Sequence, residues 1–206
     1  MRAVHRGLPL PIFSWSNVMR FSSTLLISCA LAVASAGALA ADMAPIKPVD
    51  KVELQRFMGP WYVIASIPSA LEKKAYNAVE TYTLAPNGHI DTVFRYRNSA
   101  FTNPIKTIKS TGFVTPNTNN AVWGVQIVWP IKAQYVIAYL NDSYSETIIA
   151  RDKRDYVWIM ARTPTIPQAD YDAMVARVTA MGYKVADIRK VPQQWPDAGS
   201  ADAGNH

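Results

Sequence analysis

Gly59-Pro60-Trp61-Tyr62-Val63-Ile64-Ala65 opens a long series of β-like segments, and its reading decides the fold. A glycine lets the chain turn sharply where a side chain would not fit. A tryptophan directly after such a turn can plug one end of a closed core. A short polar lead, residues 50–58, precedes it. Asp50 with Glu53 three positions on has the pattern of a capping box, which predicts a short helical turn with Leu54 and Phe57 on the core.

Downstream, strand-like segments recur at 61–67, 77–84, 90–97, 106–115, 121–129, 134–140, 146–151 and 156–162. Ala78, Glu80, Tyr82 and Leu84 share one face of the second, and Ile90, Thr92, Phe94 and Tyr96 one face of the third. Pro86-Asn87-Gly88 between them is a hairpin signal. Short connections of this kind fit sequential antiparallel pairing. The exception is 167–181, where Tyr171, Met174, Val175, Val178 and Met181 recur at helical spacing. Thr165 with Gln168 has the capping pattern at its start, and Gly182 suits its stop. A last short strand is expected at 184–191. The expected fold is all-β: an eight-stranded antiparallel up-and-down β-barrel with a C-terminal α-helix packed outside. Closure removes the exposed edges of an open sheet. Eight strands enclose an interior that side chains fill or that holds one small ligand.

The flanks read differently. Residues 1–40 resemble an export signal: Arg20 supplies the positive start, 25–39 carry no charge, and Ala38-Leu39-Ala40 offers a cleavage site. Met19 is a candidate start. A membrane anchor is the competing reading of the apolar run. Leu26-Ile27-Ser28-Cys29 also resembles a lipobox, in which Cys29 would be acylated. Apolar residues continue well past Cys29, which favours ordinary cleavage, and the mature chain then has no cysteine. Residues 41–49 read as a linker, 50–192 as the barrel domain and 193–206 as a disordered tail. This places the protein in the periplasm or against the outer membrane.

Of the net charge of +6, half comes from Arg2, Arg6 and Arg20 in the leader. The remainder is too mild, and too dispersed, for nucleic acid. The three histidines, His5, His89 and His206, are far apart in sequence, which gives no support to a Ser-His-Asp triad, a Cys-His pair or a histidine zinc site. Neither a phosphate loop nor a G-x-S-x-G elbow is present. No catalytic residue, metal site or cofactor is therefore expected. Tyr82, Phe94, Tyr96, Trp123, Tyr139 and Trp158 fall in different strands. Their inward members would line a largely apolar cup suited to an acyl chain or a flat apolar molecule, and the others would be core. Glu80 shares the face of Tyr82. An unpaired inward carboxylate is costly, so Glu80 reads as a head-group contact or partner of a cationic ligand, or as part of a wet mouth or internal ion pair.

Three motifs carry a family resemblance. They are Gly59-x-Trp61-Tyr62-x-Ile64-Ala65, Tyr82-Thr83-Leu84 followed by Asn87-Gly88, and Asp155-Tyr156-Val157-Trp158-Ile159-Met160-Ala161-Arg162-Thr163-Pro164-Thr165. In this order they resemble the lipocalins, and among them the bacterial outer-membrane lipocalins related to apolipoprotein D. The resemblance spans about residues 50–192. It implies a calyx that binds a small hydrophobic ligand without catalysis, in the bacterial members a fatty acid or lysophospholipid. It implies a closure device of Gly59, Trp61 and Arg162, with Arg162 across the Trp61 ring, and a cavity-lining Trp158. Three departures stand out: Pro60 at the strand start, Glu80 in place of an alanine, and Asn141 where an aspartate usually precedes a tyrosine such as Tyr144 by three. Two other readings compete. One is a lipid-modifying enzyme using Glu80 and Tyr82 as acid and base. The other is a barrel filled by its own side chains.

Overall fold

Gly59 adopts a φ of 92°, a conformation that side-chain-bearing residues rarely take. There it turns the chain from one helical turn, α1 (Leu54–Phe57), into strand β1 (Gly59–Ile67). The structure is a computed structural model and describes residues 43–197. The predicted export segment, Cys29 and residues 198–206 lie outside the described residues. Seven strands follow: β2 (Ala75–Leu84), β3 (Ile90–Asn98), β4 (Ile105–Val114), β5 (Val122–Gln126), β6 (Ala133–Leu140), β7 (Glu146–Ala150) and β8 (Val157–Ala161). Each pairs antiparallel with the next, and β1 pairs with both β8 and β2, which closes an eight-stranded up-and-down barrel. Helix α2 (Gln168–Ala180) follows β8.

The period-two pattern of the strands sorts their side chains into two apolar clusters. Phe57, Trp61, Tyr82, Phe94, Trp123, Ile137 and Met160 belong to the inner one. Ala65, Val136, Ile148, Val157 and Ile159 belong to the outer one, under Met174 and Val178 of α2. The apolar face predicted for the helix therefore covers the outside of the barrel. Gly182, at φ 91°, ends that helix with its N–H on the Thr179 carbonyl at 2.9 Å.

Neither capping box forms. The cap position of α1 is Glu53, without a side-chain bond. Tertiary hydrogen bonds hold residues 49–52 extended instead: Val49 N–H reaches the Ile137 carbonyl, and Val52 N–H the Asn119 carbonyl. The cap of α2 is Pro167, and Gln168 bonds forward to Asp172. The fifth strand stops at Gln126 rather than at 129, because its partner β6 starts only at Ala133 and leaves residues 127–129 without a ladder. Of the strand expected at 184–191, only β9 (Arg189–Lys190) pairs, with Ser66 and Ala65 of β1. Residues 193–197, expected in a disordered tail, are bonded to the barrel. Gln193 Nε2 donates to the Val63 carbonyl, and Asn77 bonds to Gln194 and Asp197. Here β1 and β2 no longer pair with each other, and the segment after β9 supplies partners to their free backbone groups.

The closed end is organised by one guanidinium. Arg162 Cζ lies 3.8 Å from the centroid of the Trp61 ring. Its nitrogens donate to the carbonyls of Arg56 (2.8 Å), Phe57 (3.0 Å), Pro60 (2.8 Å) and Tyr144 (3.2 Å). Two of these are carbonyls at the end of α1, where a cation is favoured. An added Cβ at Gly59 would stand 3.4 Å from the guanidinium, in van der Waals contact, so the positive φ rather than space calls for glycine there. Asn141 ties the β6–β7 turn through its carbonyl oxygen, which accepts from the Ser145 and Glu146 N–H groups.

Replacing Arg162 with Ala removes a donor from four carbonyls, of which Phe57 keeps the Trp61 indole N–H, and is expected to destabilise the barrel by about 2–4 kcal/mol in urea unfolding. Lysine at this position should recover less than half of that loss, because it lacks the planar fork. Equal stability of the parent and the alanine variant would show that the closed end does not depend on this residue.

Candidate ligand-binding site

Above the sealed end the barrel interior opens into a cavity of about 190 Å³. Five aromatic side chains raise its floor. Phe57 lies 5.0 Å from Trp61, 5.5 Å from Tyr82 and 5.5 Å from Trp123, between ring centroids. Trp123 in turn stacks on Tyr135 at 5.0 Å with the planes 7° apart. The tyrosine hydroxyls meet at 2.5 Å and form the polar part of the floor. The walls are apolar: Phe94, Ile108, Val125, Ile149 and Met160. At the rim stand Leu71, Glu72, Ile127, Arg151, Tyr156 and Trp158.

The predicted site residues divide accordingly. Glu80, Tyr82, Phe94 and Trp158 line the cavity. Tyr96 stacks on Phe94 at 5.1 Å and stays in the packed interior beside it. Trp123 is packed below the floor, its indole N–H on the Asn120 carbonyl. Tyr139 points the other way. A register shift between Ile137 and Tyr139 inverts the alternation of β6, so Tyr139 packs with the outer cluster, under the guanidinium of Arg177 on α2. Trp61 and Gly59 lie at the closure with Arg162 and do not line the cavity.

Sequence reasoning missed Tyr135, although the alternation Tyr135, Ile137 in β6 carried the signal. It also missed Glu72, which comes from the connection between β1 and β2, where no periodicity applies, and Arg151, which ends the segment expected as the seventh strand and lies just past β7. Glu72 is held at the rim by the Trp158 indole N–H (3.2 Å) and the Ser69 N–H (3.1 Å). Arg151 pairs with Asp155 at 3.3 Å and lies over the Tyr156 ring. Tyr183 pins this rim segment, its hydroxyl accepting from the Arg151 N–H at 2.8 Å.

Glu80 has no hydrogen bond and no ion pair among the described residues. Its remaining accessible surface faces the cavity. Burial in the cup, reinforced by the nearby Glu72 charge, pushes its carboxyl from the ordinary 4.5 up to about 8. Burial also drives Tyr82 and Tyr135 well above the usual phenol range, so neither is a base near neutrality. Among the described residues no group of three or more His, Cys, Asp or Glu side chains could hold a metal ion.

A family model described as a lipocalin-like domain matches residues 52–193. The chain belongs to the lipocalin family. Its relatives include temperature-induced lipocalin-1 of Arabidopsis thaliana, 29% identical over 70% of this chain and 81% of that protein. The outer membrane lipoprotein Blc of Citrobacter freundii is 28% identical over 79% of this chain and 94% of its own length. Among solved structures, insecticyanin from the tobacco hornworm superposes with a TM-score of 0.58 at 12% identity, covering 74% of this chain and 86% of that one. That likeness concerns the fold. Lipocalins bind small hydrophobic ligands and are generally binding proteins rather than enzymes.

The Glu80 shift fixes a pH dependence. Below pH 4.5 the carboxyl is protonated in the folded and the unfolded chain and costs nothing. From 4.5 to about 8 the unfolded chain loses this proton while the folded barrel keeps it, so stability falls as pH rises and levels off above 8. Glu80→Gln should abolish that slope and stabilise the barrel at pH 9 by on the order of a few kcal/mol. Urea midpoints at several pH values read this directly, and a variant that keeps the parent's slope would contradict it.

Proposed function

We propose that this lipocalin holds one single-chain amphiphile, of the class that includes fatty acids and lysophospholipids, and handles it at a membrane of the bacterial envelope. The observation that carries the reading is the cup itself: sealed below by Trp61 and Arg162, walled by aliphatic and aromatic side chains, and open at the opposite end. Pockets for drug-sized ligands run to roughly 300–1,000 Å³, so a cavity of about 190 Å³ suits a slender occupant, part of which extends through the mouth. The envelope location draws on the export signal read in the leader and on the similarity to an outer membrane lipoprotein.

Contact with a membrane surface is supported by the rim. Ile127, Val128, Trp129 and Ile131 are 58%, 65%, 81% and 71% exposed, a contiguous apolar tip in the connection between β5 and β6. Leu71, 58% exposed, lies on another rim connection. Lys73, Lys74, Lys132 and Lys153 in the rim connections are also exposed. An apolar tip with nearby lysines suits a bilayer that contains anionic lipids. Binding rather than catalysis is the preferred reading, because the Tyr82 hydroxyl is committed to Tyr135 and holds its proton.

Two variants should separate the cavity lining from the exposed apolar tip. Trp158→Ala is expected to weaken uptake of the neutral fluorophore N-phenyl-1-naphthylamine by about tenfold, with little effect on sedimentation with phosphatidylglycerol vesicles. Trp129→Asp is expected to do the reverse. A parent protein that takes up no fluorophore, or variants that alter neither readout, would contradict the proposal.

A further inference from the structure

The polarity of the cup runs against that of a simple fatty-acid pocket. A pocket for an anionic head at the mouth and a tail inside needs an apolar floor and a cationic rim. Here the floor carries a carboxyl, Glu80, beside the paired hydroxyls of Tyr82 and Tyr135. At the mouth the lining carries a second carboxylate, Glu72, with the apolar Leu71 and Ile127, while the exposed rim lysines Lys73, Lys74, Lys132 and Lys153 stand outside the lining. Among the described residues Arg151 is the one cation lining the cavity; Asp155 pairs with its Nη1 at 3.3 Å, while its Nε is buried without a hydrogen-bond partner. The lining therefore offers two carboxyl groups against one cation, and the deeper carboxyl, Glu80, has no hydrogen-bond or ion-pair partner among the described residues.

We propose that the cup selects amphiphiles bearing a basic nitrogen and takes them polar end first, so that the nitrogen meets Glu80 and the tail leaves through the mouth along Leu71 and Ile127. This inference rests on the cup being the amphiphile site and narrows the class of occupant. Three features converge on it. An ammonium is donor-only, and the floor offers it acceptors: the Glu80 carboxylate and the tyrosine oxygens. A cationic partner ionises Glu80 at the moment of binding, so one proton leaves to solvent and the empty site is spared a buried charge. The cavity is also too small for a long chain and its head together, whereas the exposed apolar rim can cover the part that emerges. A free carboxylate at the same depth would instead face the Glu72 charge and, above about pH 8, the ionised Glu80 as well.

The charged groups facing the site set the expected pH response: Glu80 on β2, Glu72 after β1, Arg151 after β7, and the phenols of Tyr82 and Tyr135. The phenols stay protonated near neutrality. Amine affinity should therefore rise as pH passes from 6 to 9, following the ionisation of Glu80.

The test is calorimetric titration of the full chain with three probes of equal length: decylamine, decanol and decanoate. At pH 7 decylamine is expected to bind at least about tenfold more tightly than decanoate, with decanol between them. In Glu80→Gln, an isosteric change, the amine preference over decanol should fall to about twofold or less, and its rise with pH should vanish. The comparison among probes in the parent stands even if that variant folds poorly. Decanoate binding as tightly as decylamine would overturn the inference; it is the outcome expected if Arg151, and not Glu80, takes the head group. Decanol binding without any amine preference would sink this inference and leave the amphiphile site standing. Failure of all three probes to bind would remove both.

Discussion

The barrel depends on the seating of Arg162 on Trp61. Four backbone carbonyls and one indole face converge on that guanidinium. The carbonyls come from α1 with the adjoining start of β1, and from the β6–β7 turn far along the chain. One side chain at the end of β8 therefore locks the entry of the chain to its exit. Trp61 completes the lock by donating its indole N–H to the Phe57 carbonyl at 2.8 Å. Burial lowers the affinity of Arg162 for its proton, but a guanidinium stays charged at any physiological pH. The contact is thus insensitive to the pH range in which Glu80 titrates.

From this lock the shape of the cup follows. Trp61 anchors Phe57, and Phe57 contacts Tyr82 and Trp123, so the aromatic stack rises from the sealed end. Where the stack stops, the tyrosine hydroxyls satisfy each other, and the cavity begins. A carboxyl placed just above such a floor has neither water in bulk nor a counter-ion. It keeps its proton, and the protein pays in stability as pH rises. Stability and recognition are in opposition at this one side chain: the feature that weakens the empty barrel gives an incoming ligand something to neutralise.

Most of the fold was legible in the sequence because one face of each strand is buried, and period-two alternation reports that face directly. Ile90, Thr92, Phe94 and Tyr96 lie inward as their spacing predicts. The site was legible only in part. Alternation failed at Tyr139, where a shift in register of β6 turned it outward, and no residue type there announces the shift. Alternation also cannot say how high the floor stands, and so it could not separate Trp123, packed beneath, from Tyr82, exposed to the cavity. Glu72 and Arg151 come from irregular connections whose geometry is set by long-range contacts such as the Trp158 indole and the Tyr183 hydroxyl. The capping patterns at Asp50 and Thr165 misled for a related reason: backbone groups near α1 found partners across the barrel end, and the start of α2 is set by Pro167.

The sealed barrel is expected to carry one amphiphile in the cup above Trp61. Native mass spectrometry of the protein released gently from the membranes of its own host reads this out. The expected main species is heavier than the protein alone by the mass of a single-chain amphiphile, at one per barrel, which is released on unfolding. A protein that emerges bare from its native membranes and acquires no such mass on exposure to single-chain amphiphiles would contradict it.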